Sequence, residues 1–374
     1  MIRVAVVGGG VIGLAVAEEL ARRGARVELF ERAGEVGRES SSSAAGILAP
    51  QGEVKGPGPW LELLLAGYQM IPEMVARLES ATGLELRYRA SGMLSAALTD
   101  EDEQELERQF RWQSEQGLRV ERVSASQIRS LEPAVDGPVR WGLWWPQCSQ
   151  LDNTRLVEAY RLALQRQGGL IRTATPVLRF LLEQDQVIGV ETPAGPVRAD
   201  WVVNCAGSWA GFDAAFPLPI PTFPVRGQML RFRTRSPLIQ RIVRSSSFYL
   251  VQRSEEQLVA GTTVERAGYD KSVTEEGLRS IRAGVGRIAS RLNGWEPEVS
   301  WAGLRPGTPD GMPILGPSPF RRLLLAVGHY RNGILLAPFT GRLIADRITQ
   351  ERCAFDWSPF GVDRFLAKAV LTAH

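Results

Sequence analysis

The chain begins with an apolar run that stops at three glycines, and this junction restricts the folds open to it. Val4-Ala5-Val6-Val7 reads as a buried strand, Gly8-Gly9-Gly10-Val11-Ile12-Gly13 follows, and an amphipathic helical stretch comes next. A second strand, Arg26 to Phe30, ends at Glu31-Arg32. Gly8 permits the tight turn off the strand, Gly10 lets backbone N–H groups approach a pyrophosphate, and Gly13 lets the helix lie close on the strand. Val11 and Ile12 place their amides in the first helical turn, at the positive end of the helix dipole. Glu31 stands 18 residues past Gly13, where a carboxylate accepts hydrogen bonds from an adenosine ribose. The same charge repels a 2′-phosphate, which favours FAD or NAD over NADP. The strand before, the helix after and the acid at the second strand end all agree on an α/β dinucleotide-binding domain.

At 374 residues the chain is too long for one simple core and is expected to form two domains. A net charge of only +3, with no polybasic run, excludes nucleic acid as an expected partner. The lysines are Lys55, Lys271 and Lys368, so nearly all 44 basic residues are arginines. None of the three follows a G-x-x-x-x-G, which removes a P-loop and leaves few Schiff-base candidates. Cys148, Cys205 and Cys353 are odd in number and widely spaced, a pattern that fits a reducing compartment better than a disulfide framework or a zinc site. With only His329 and His374, no histidine-rich metal site is expected, and a Ser-His-Asp triad would rest on His329. The opening residues already form the first strand, and the apolar run ends at Glu18-Glu19. No signal peptide and no membrane helix are therefore expected, and a cytoplasmic location is.

Arg38 to Pro50 is rich in serine and small residues. Ser40, Ser41, Ala45, Gly46 and Ile47 suit a stretch whose backbone and hydroxyls lie against a flat polar ligand; a flexible linker is the alternative. The periodicity predicts one helix from Trp60 to about Thr82, a strand pair from Arg87 to Ala97 turning at Gly92, and helices over 100–116, 126–133 and 152–168. Asp200 to Trp209 reads as a buried parallel strand entering a helix through a glycine turn. The proline-rich run Phe216 to Pro221 marks a crossing between domains. Beyond it, residues 227–233, 242–245, 248–252 and 257–261 alternate like antiparallel strands, and 275–292 reads as a helix. Trp301 to Pro306 and Leu323 to Gly328 are expected to return to the first pattern, followed by a final helix from Gly333. The strand ending at Gly328 and the helix starting at Gly333 make a second helix N-terminus, suited to a flavin ring whose N1–C2 region becomes negative on reduction.

These segments carry a resemblance. The opening fingerprint, Val202 to Trp209, Trp301 to Gly316 and Gly328 to Pro338 resemble the D-amino-acid oxidase family of FAD proteins, and within it the glycine oxidases of the thiamine thiazole pathway. The resemblance implies an FAD domain assembled from 1–85, 148–218 and 303–374, with an antiparallel-sheet α+β substrate domain from 86–147 and 219–302. It implies noncovalent FAD held by the fingerprint, Glu31, Arg32, Ser40 to Ile47, Val177, Gly207 and His329-Tyr330-Arg331-Asn332-Gly333-Ile334-Leu335. It implies a substrate carboxylate held by Arg305 and Tyr249, with Arg331 at the rim. The implied reaction is hydride transfer from the α-carbon of glycine, sarcosine or a small D-amino acid to the flavin, yielding an imine, then an oxo acid and ammonia, with O₂ reduced to hydrogen peroxide. Such a reaction needs orientation more than a general base, and no residue is singled out as an acid or base. A homo-oligomer, up to a tetramer, with no membrane partner, is expected. The competing readings are a sarcosine oxidase or D-amino-acid dehydrogenase of the same fold, an FAD-binding sensor without activity, and an NAD-dependent dehydrogenase. The chain departs from the glycine oxidases at Ser247, where they carry histidine, and at Val264, where they carry methionine. Both changes bear on which amines fit.

Overall fold

The computed structural model describes residues 1–211, 219–246, 248–351 and 355–366. Its first layer is a six-stranded sheet in the order Ile314–Pro317, Leu323–Val327, Trp201–Asn204, Arg3–Val7, Arg26–Phe30, Leu170–Arg172. All neighbours are parallel except the Ile314–Pro317 edge. Its inner strands are apolar on both faces because helices cover one side and a three-stranded antiparallel sheet, residues 179–198, packs near the other. The first helix, Val11–Arg22, crosses the last, Gly333–Thr349, so closely that a Cβ at Gly341 would sit 2.8 Å from the Ala15 carbonyl oxygen.

The second layer is an eight-stranded sheet in the order Val299–Gly307, Phe223–Arg233, Gln257–Gly261, Tyr249–Ser254, Ile242–Arg244, Met93–Ala97, Trp141–Trp145, Glu121–Ser124. It is antiparallel except for the parallel pair Ile242–Arg244 and Met93–Ala97. The helix Glu275–Ile288 covers one face. Trp301 to Pro306 lies here and not in the nucleotide-binding pattern: it belongs to the long strand Val299–Gly307, antiparallel to Phe223–Arg233, with Arg305 opposite Val225. We propose that the substrate domain extends to Gly307, since residues 303–307 complete that ladder.

Other local expectations change for physical reasons. The stretch 60–82 is two helices, Pro59–Gln69 and Ile71–Thr82, because Pro72 lacks an N–H and its ring clashes with the carbonyl four residues back. Residues 87–91 do not pair with Met93–Ala97, whose antiparallel partner is Trp141–Trp145. Gly92 has φ +72°, and a Cβ there would lie 1.8 Å from the Trp144 ring, so the turn is set by tryptophan packing. The strand Trp201–Asn204 enters a single 3₁₀ turn, Gly207–Trp209. Phe216, Pro217, Leu218, Ser247, Cys353, Lys368 and His374 lie outside the described residues.

Glu18 and Glu19, which end the apolar run in sequence, are both buried in the helix layer. Arg77 forks onto Glu18, with Nη2 donating to Oε2 at 3.0 Å, and Gln167 donates to Oε1 at 2.9 Å. Glu18 has 0% exposure, so Arg77→Ala leaves a buried carboxylate short of its cation. The expected loss is roughly 3 kcal/mol of unfolding free energy, measured by denaturant titration; a loss within experimental error would show that Gln167 alone satisfies the charge.

Candidate active site

The strand Arg3–Val7 ends in a turn that only glycine tolerates. Gly8 has φ +105°, and a Cβ there would meet the Cys205 carbonyl oxygen at 2.6 Å; one on Gly13 would meet the Gly8 carbonyl oxygen at 1.9 Å. Glu31 faces this turn and accepts from the Gly9 N–H through Oε2 and the Ala33 N–H through Oε1, each at 2.8 Å. The helix beginning at Val11 follows Gly10, which has no side chain to cap it, and has no acid in its first turn. Ser41 Oγ takes the Val11 N–H at 2.9 Å, while the helical pattern leaves the Ile12 and Gly13 amides at an uncapped, positive terminus.

The serine-rich stretch is a docked segment, not a linker. Ser40–Ser43 forms one helical turn, and Ser40 Oγ donates to the Leu304 carbonyl. Trp301 Nε1 donates to Ser43 O at 3.1 Å, Arg253 Nη2 to Ala44 O at 2.6 Å, and Asn153 Nδ2 to Ser41 O at 2.7 Å. Gly303 makes room: a Cβ there would lie 2.4 Å from Ser43 Cβ. The segment ends in Ile47–Leu48, paired with Ser149–Gln150. Of the other expected cofactor residues, Arg32 lies 3.7 Å from the centre of the Trp209 ring and bonds Glu39. Val177 packs against the core between the six-stranded and three-stranded sheets, and Gly207, at φ +58°, opens the 3₁₀ turn.

One cavity of about 680 Å³ joins this segment to the second sheet. Ser43 to Ile47, Tyr330 to Asn332 and Ile334 line one side; Tyr249 and Arg305 line the other. Arg305 Nη1 donates to Thr263 O at 3.2 Å and Nη2 to Thr262 Oγ1 at 2.6 Å. Among the described residues it has no ion pair with a carboxylate, and burial draws its pKa below the ordinary arginine value, against the pull of Tyr249. The Tyr249 hydroxyl donates to Met229 Sδ at 3.2 Å, and burial raises its pKa while Arg305 and Arg331 oppose the rise. Gly261 keeps this place open, since a Cβ there would sit 2.4 Å from Met229 Sδ and 2.8 Å from the Tyr249 hydroxyl.

Arg331 is compensated. Burial is the largest single influence and works to lower its pKa, but Glu53, Tyr330 and Tyr249 together outweigh it and hold it raised. Glu53 bridges two arginines, accepting from Arg331 Nη1 and Arg244 Nη1, each at 3.3 Å. Glu53, Arg244, Thr262 and Thr263 were not legible as site residues in the sequence. The threonines carried one faint signal, a Gly-Thr-Thr directly after an alternating strand. Tyr330 has φ +50°, a left-handed conformation rare for a bulky residue, held by its N–H bond to Pro306 O at 3.0 Å. His329 does not line the cavity: it is 3% exposed, and Nε2 contacts Thr340 Oγ1 at 3.1 Å. Gly333 starts the last helix and Leu335 is buried within its first turn, in the core beneath the cavity.

Residues 3–347 match the family described as FAD dependent oxidoreductase. The chain belongs to that family. It is 34% identical to the glycine oxidase of Pseudomonas aeruginosa over 361 residues, covering 96% of this chain and 98% of that one. It is 36% identical to the bifunctional protein ThiO/ThiG of Synechocystis, over 97% of this chain but 54% of the relative, so it spans about half of that longer protein. The crystal structure of glycine oxidase from Geobacillus kaustophilus superposes with a TM-score of 0.90 at 32% identity, covering 97% of this chain and 99% of that one. The cofactor is FAD, and the architecture fits it. Two long helices, Val11–Arg22 and Gly333–Thr349, start without a bond from their own N-cap side chain or a first-turn acid, Glu31 is fixed beside the first, and the cavity opens beside the second at Asn332. No helix among the described residues is long and apolar enough to cross a membrane.

Burial lowers the His329 pKa from 6.5 to about 3. The unfolded chain therefore binds a proton that the folded chain refuses between those values, and His329 makes stability fall as pH drops from about 6.5 toward 3. His329→Gln is expected to flatten that part of the stability profile, measured by thermal unfolding across pH; an unchanged slope would mean that the histidine protonates in the fold.

Proposed function

We propose that this chain is a glycine oxidase: it oxidises glycine and small amines such as sarcosine and small D-amino acids, with noncovalently held FAD and O₂ as electron acceptor. The observation that carries the proposal is Arg305, a half-buried guanidinium, largely desolvated in the cavity, with no carboxylate partner among the described residues, beside a protonated Tyr249 hydroxyl. An uncompensated buried cation is costly, and an amino-acid carboxylate supplies the missing charge through two parallel N–H bonds. Tyr249 now donates to a thioether, a weak acceptor that a carboxylate outcompetes. The glycine oxidase relatives support the same substrate class.

Once the carboxylate is held, the substrate's α-carbon is fixed relative to the sheet, and the gain is one of orientation. FAD, when bound, supplies the hydride acceptor and returns the electrons to O₂ as hydrogen peroxide. We infer that Glu31 and the amides of Gly10, Ile12 and Gly13 hold its adenosine and pyrophosphate, and that Ser43 to Ile47 and Tyr330 to Ile334 flank its ring. Noncovalent attachment is supported by the two described cysteines: both thiols are buried, and burial pushes the pKa of Cys148 up to about 12 and raises that of Cys205, so neither is a nucleophile. The product imine keeps the carbon–nitrogen bond that thiazole formation would use; in water it would hydrolyse to an oxo acid and ammonia.

Peroxide release on a panel of glycine, sarcosine, D-alanine and D-proline tests the proposal; no release with any of them would remove it. Arg305→Lys is expected not to rescue Arg305→Ala, because a point charge cannot replace a planar fork. The loss should be roughly 30- to 1000-fold in kcat/KM, and Tyr249→Phe should cost less; the reverse order would mean that Arg305 is not the clamp. Glu31→Ala is expected to weaken FAD binding by about 1–3 kcal/mol, and unchanged FAD affinity in a titration would remove Glu31 from the cofactor site.

A further inference from the structure

Arg305 reaches the cavity from an unusual support. Its guanidinium lies across bare backbone: a Cβ at Gly227, on the neighbouring strand, would sit 2.2 Å from both Nη1 and Nη2. A planar group resting on a glycine is free to swing about its long stem unless something fixes its edge. Nη1 is held by carbonyl oxygens, Thr263 at 3.2 Å and Arg226 at 3.4 Å. The shortest bond, 2.6 Å, is to the Thr262 hydroxyl, the one side-chain partner among the described residues.

That hydroxyl is itself fixed. Thr262 is 9% exposed, and Oγ1 lies 3.0 Å from the Gln228 carbonyl, to which it donates. Its second acceptor, Thr263 O at 3.3 Å, is also a carbonyl, so its one proton points at carbonyl oxygen in either case and its lone pairs face Arg305. The strand end that carries Thr262 is tied in turn by the Gln228 N–H, which donates to Thr263 Oγ1 at 2.9 Å. With Nη1 on carbonyls and one Nη2 hydrogen on Thr262, Nε–H and the other Nη2 hydrogen have no partner among the described residues. A carboxylate needs two such donors, held in one plane.

We propose that Thr262 is a positioning residue for substrate binding, its hydroxyl setting the orientation of the Arg305 fork and through it the affinity for the carboxylate. The inference rests on the clamp assigned to Arg305 above. Because Thr262 acts through Arg305, its effect should fall on binding in ground and transition states alike, raising KM and sparing kcat.

The test uses the FAD-loaded enzyme and two readouts: steady-state kinetics with glycine, and the dissociation constant of glycolate, a carboxylate without the reacting amine, from its perturbation of the flavin spectrum. Thr262→Val is expected to raise both KM and the glycolate constant by about tenfold, the effect of losing one bond to a charged donor, with kcat within about threefold. Thr262→Ser, which keeps the hydroxyl, should restore both. Thr262→Ala, which removes the hydroxyl and adds no bulk, serves if the valine variant does not load FAD. Hydroxyl-less variants that bind glycolate as the parent does would overturn the inference, as would a serine variant no better than valine. Arg305→Ala separates the two levels. If it leaves glycolate binding unchanged, the clamp itself is wrong; if it abolishes binding while the Thr262 variants do not alter it, only the role of Thr262 falls.

Discussion

The structure depends on how tightly the segment Ser40 to Ile47 docks on the strand Val299–Gly307. The nucleotide-binding sheet and the eight-stranded sheet meet along it, and a reaction between a cofactor held by one and a substrate held by the other requires a seam that does not slip. Gly303 lets Ser43 approach to contact distance, and the indole of Trp301, the guanidinium of Arg253 and the amide of Asn153 each bond a carbonyl of the segment. Buried backbone carbonyls must find donors. Here the donors come from both domains, so the polar backbone of a serine-rich loop becomes the joint between them.

The second organising feature is the distribution of charge around the cavity. Three arginines reach it, Arg244, Arg305 and Arg331; Glu53 is spent on Arg244 and Arg331, Glu265 pairs with Arg226, and among the described residues none of the lining acids, Glu276 included, pairs with Arg305. Arg305 is left to neutral oxygens from Thr262, Thr263 and Arg226. In a medium of low dielectric, this unbalanced cation supplies the site's attraction for an anion. The protein carries the cost of that desolvated charge in its free state, and a substrate carboxylate relieves it.

Neither His329 nor Tyr249 offers a titrating base. His329 is neutral and turned toward Thr340, away from the cavity, and burial keeps the Tyr249 hydroxyl protonated. What these residues provide is fixed geometry. Gly227 and Gly261 supply bare backbone beneath Arg305 and Tyr249, so that two bulky polar groups can stand side by side on the sheet.

Local order explains what was legible beforehand. The fingerprint from Gly8 to Gly13 and the acid at Glu31 were readable because each depends on its own backbone: turns that only glycine makes, a helix that must start somewhere, and an acid at a strand end. Alternation in 227–261 disclosed an antiparallel sheet for the same reason. The split of 60–82 at Pro72 was written in the chain and overlooked, since an apolar stripe continues across the proline. By contrast, the strand holding Arg305 was assigned to the wrong sheet, because an apolar run does not state its neighbour, and its partner Phe223–Arg233 is distant in sequence. The bridge of Glu53 to Arg244 and Arg331, and the hold of Thr262 on Arg305, join residues far apart in the chain and follow no spacing rule. The sequence by itself determined the nucleotide-binding turn, the class of fold and the family. Only the tertiary structure decided which arginine keeps an unpaired charge, because that depends on which carboxylates and carbonyls the packed sheets bring within bonding distance.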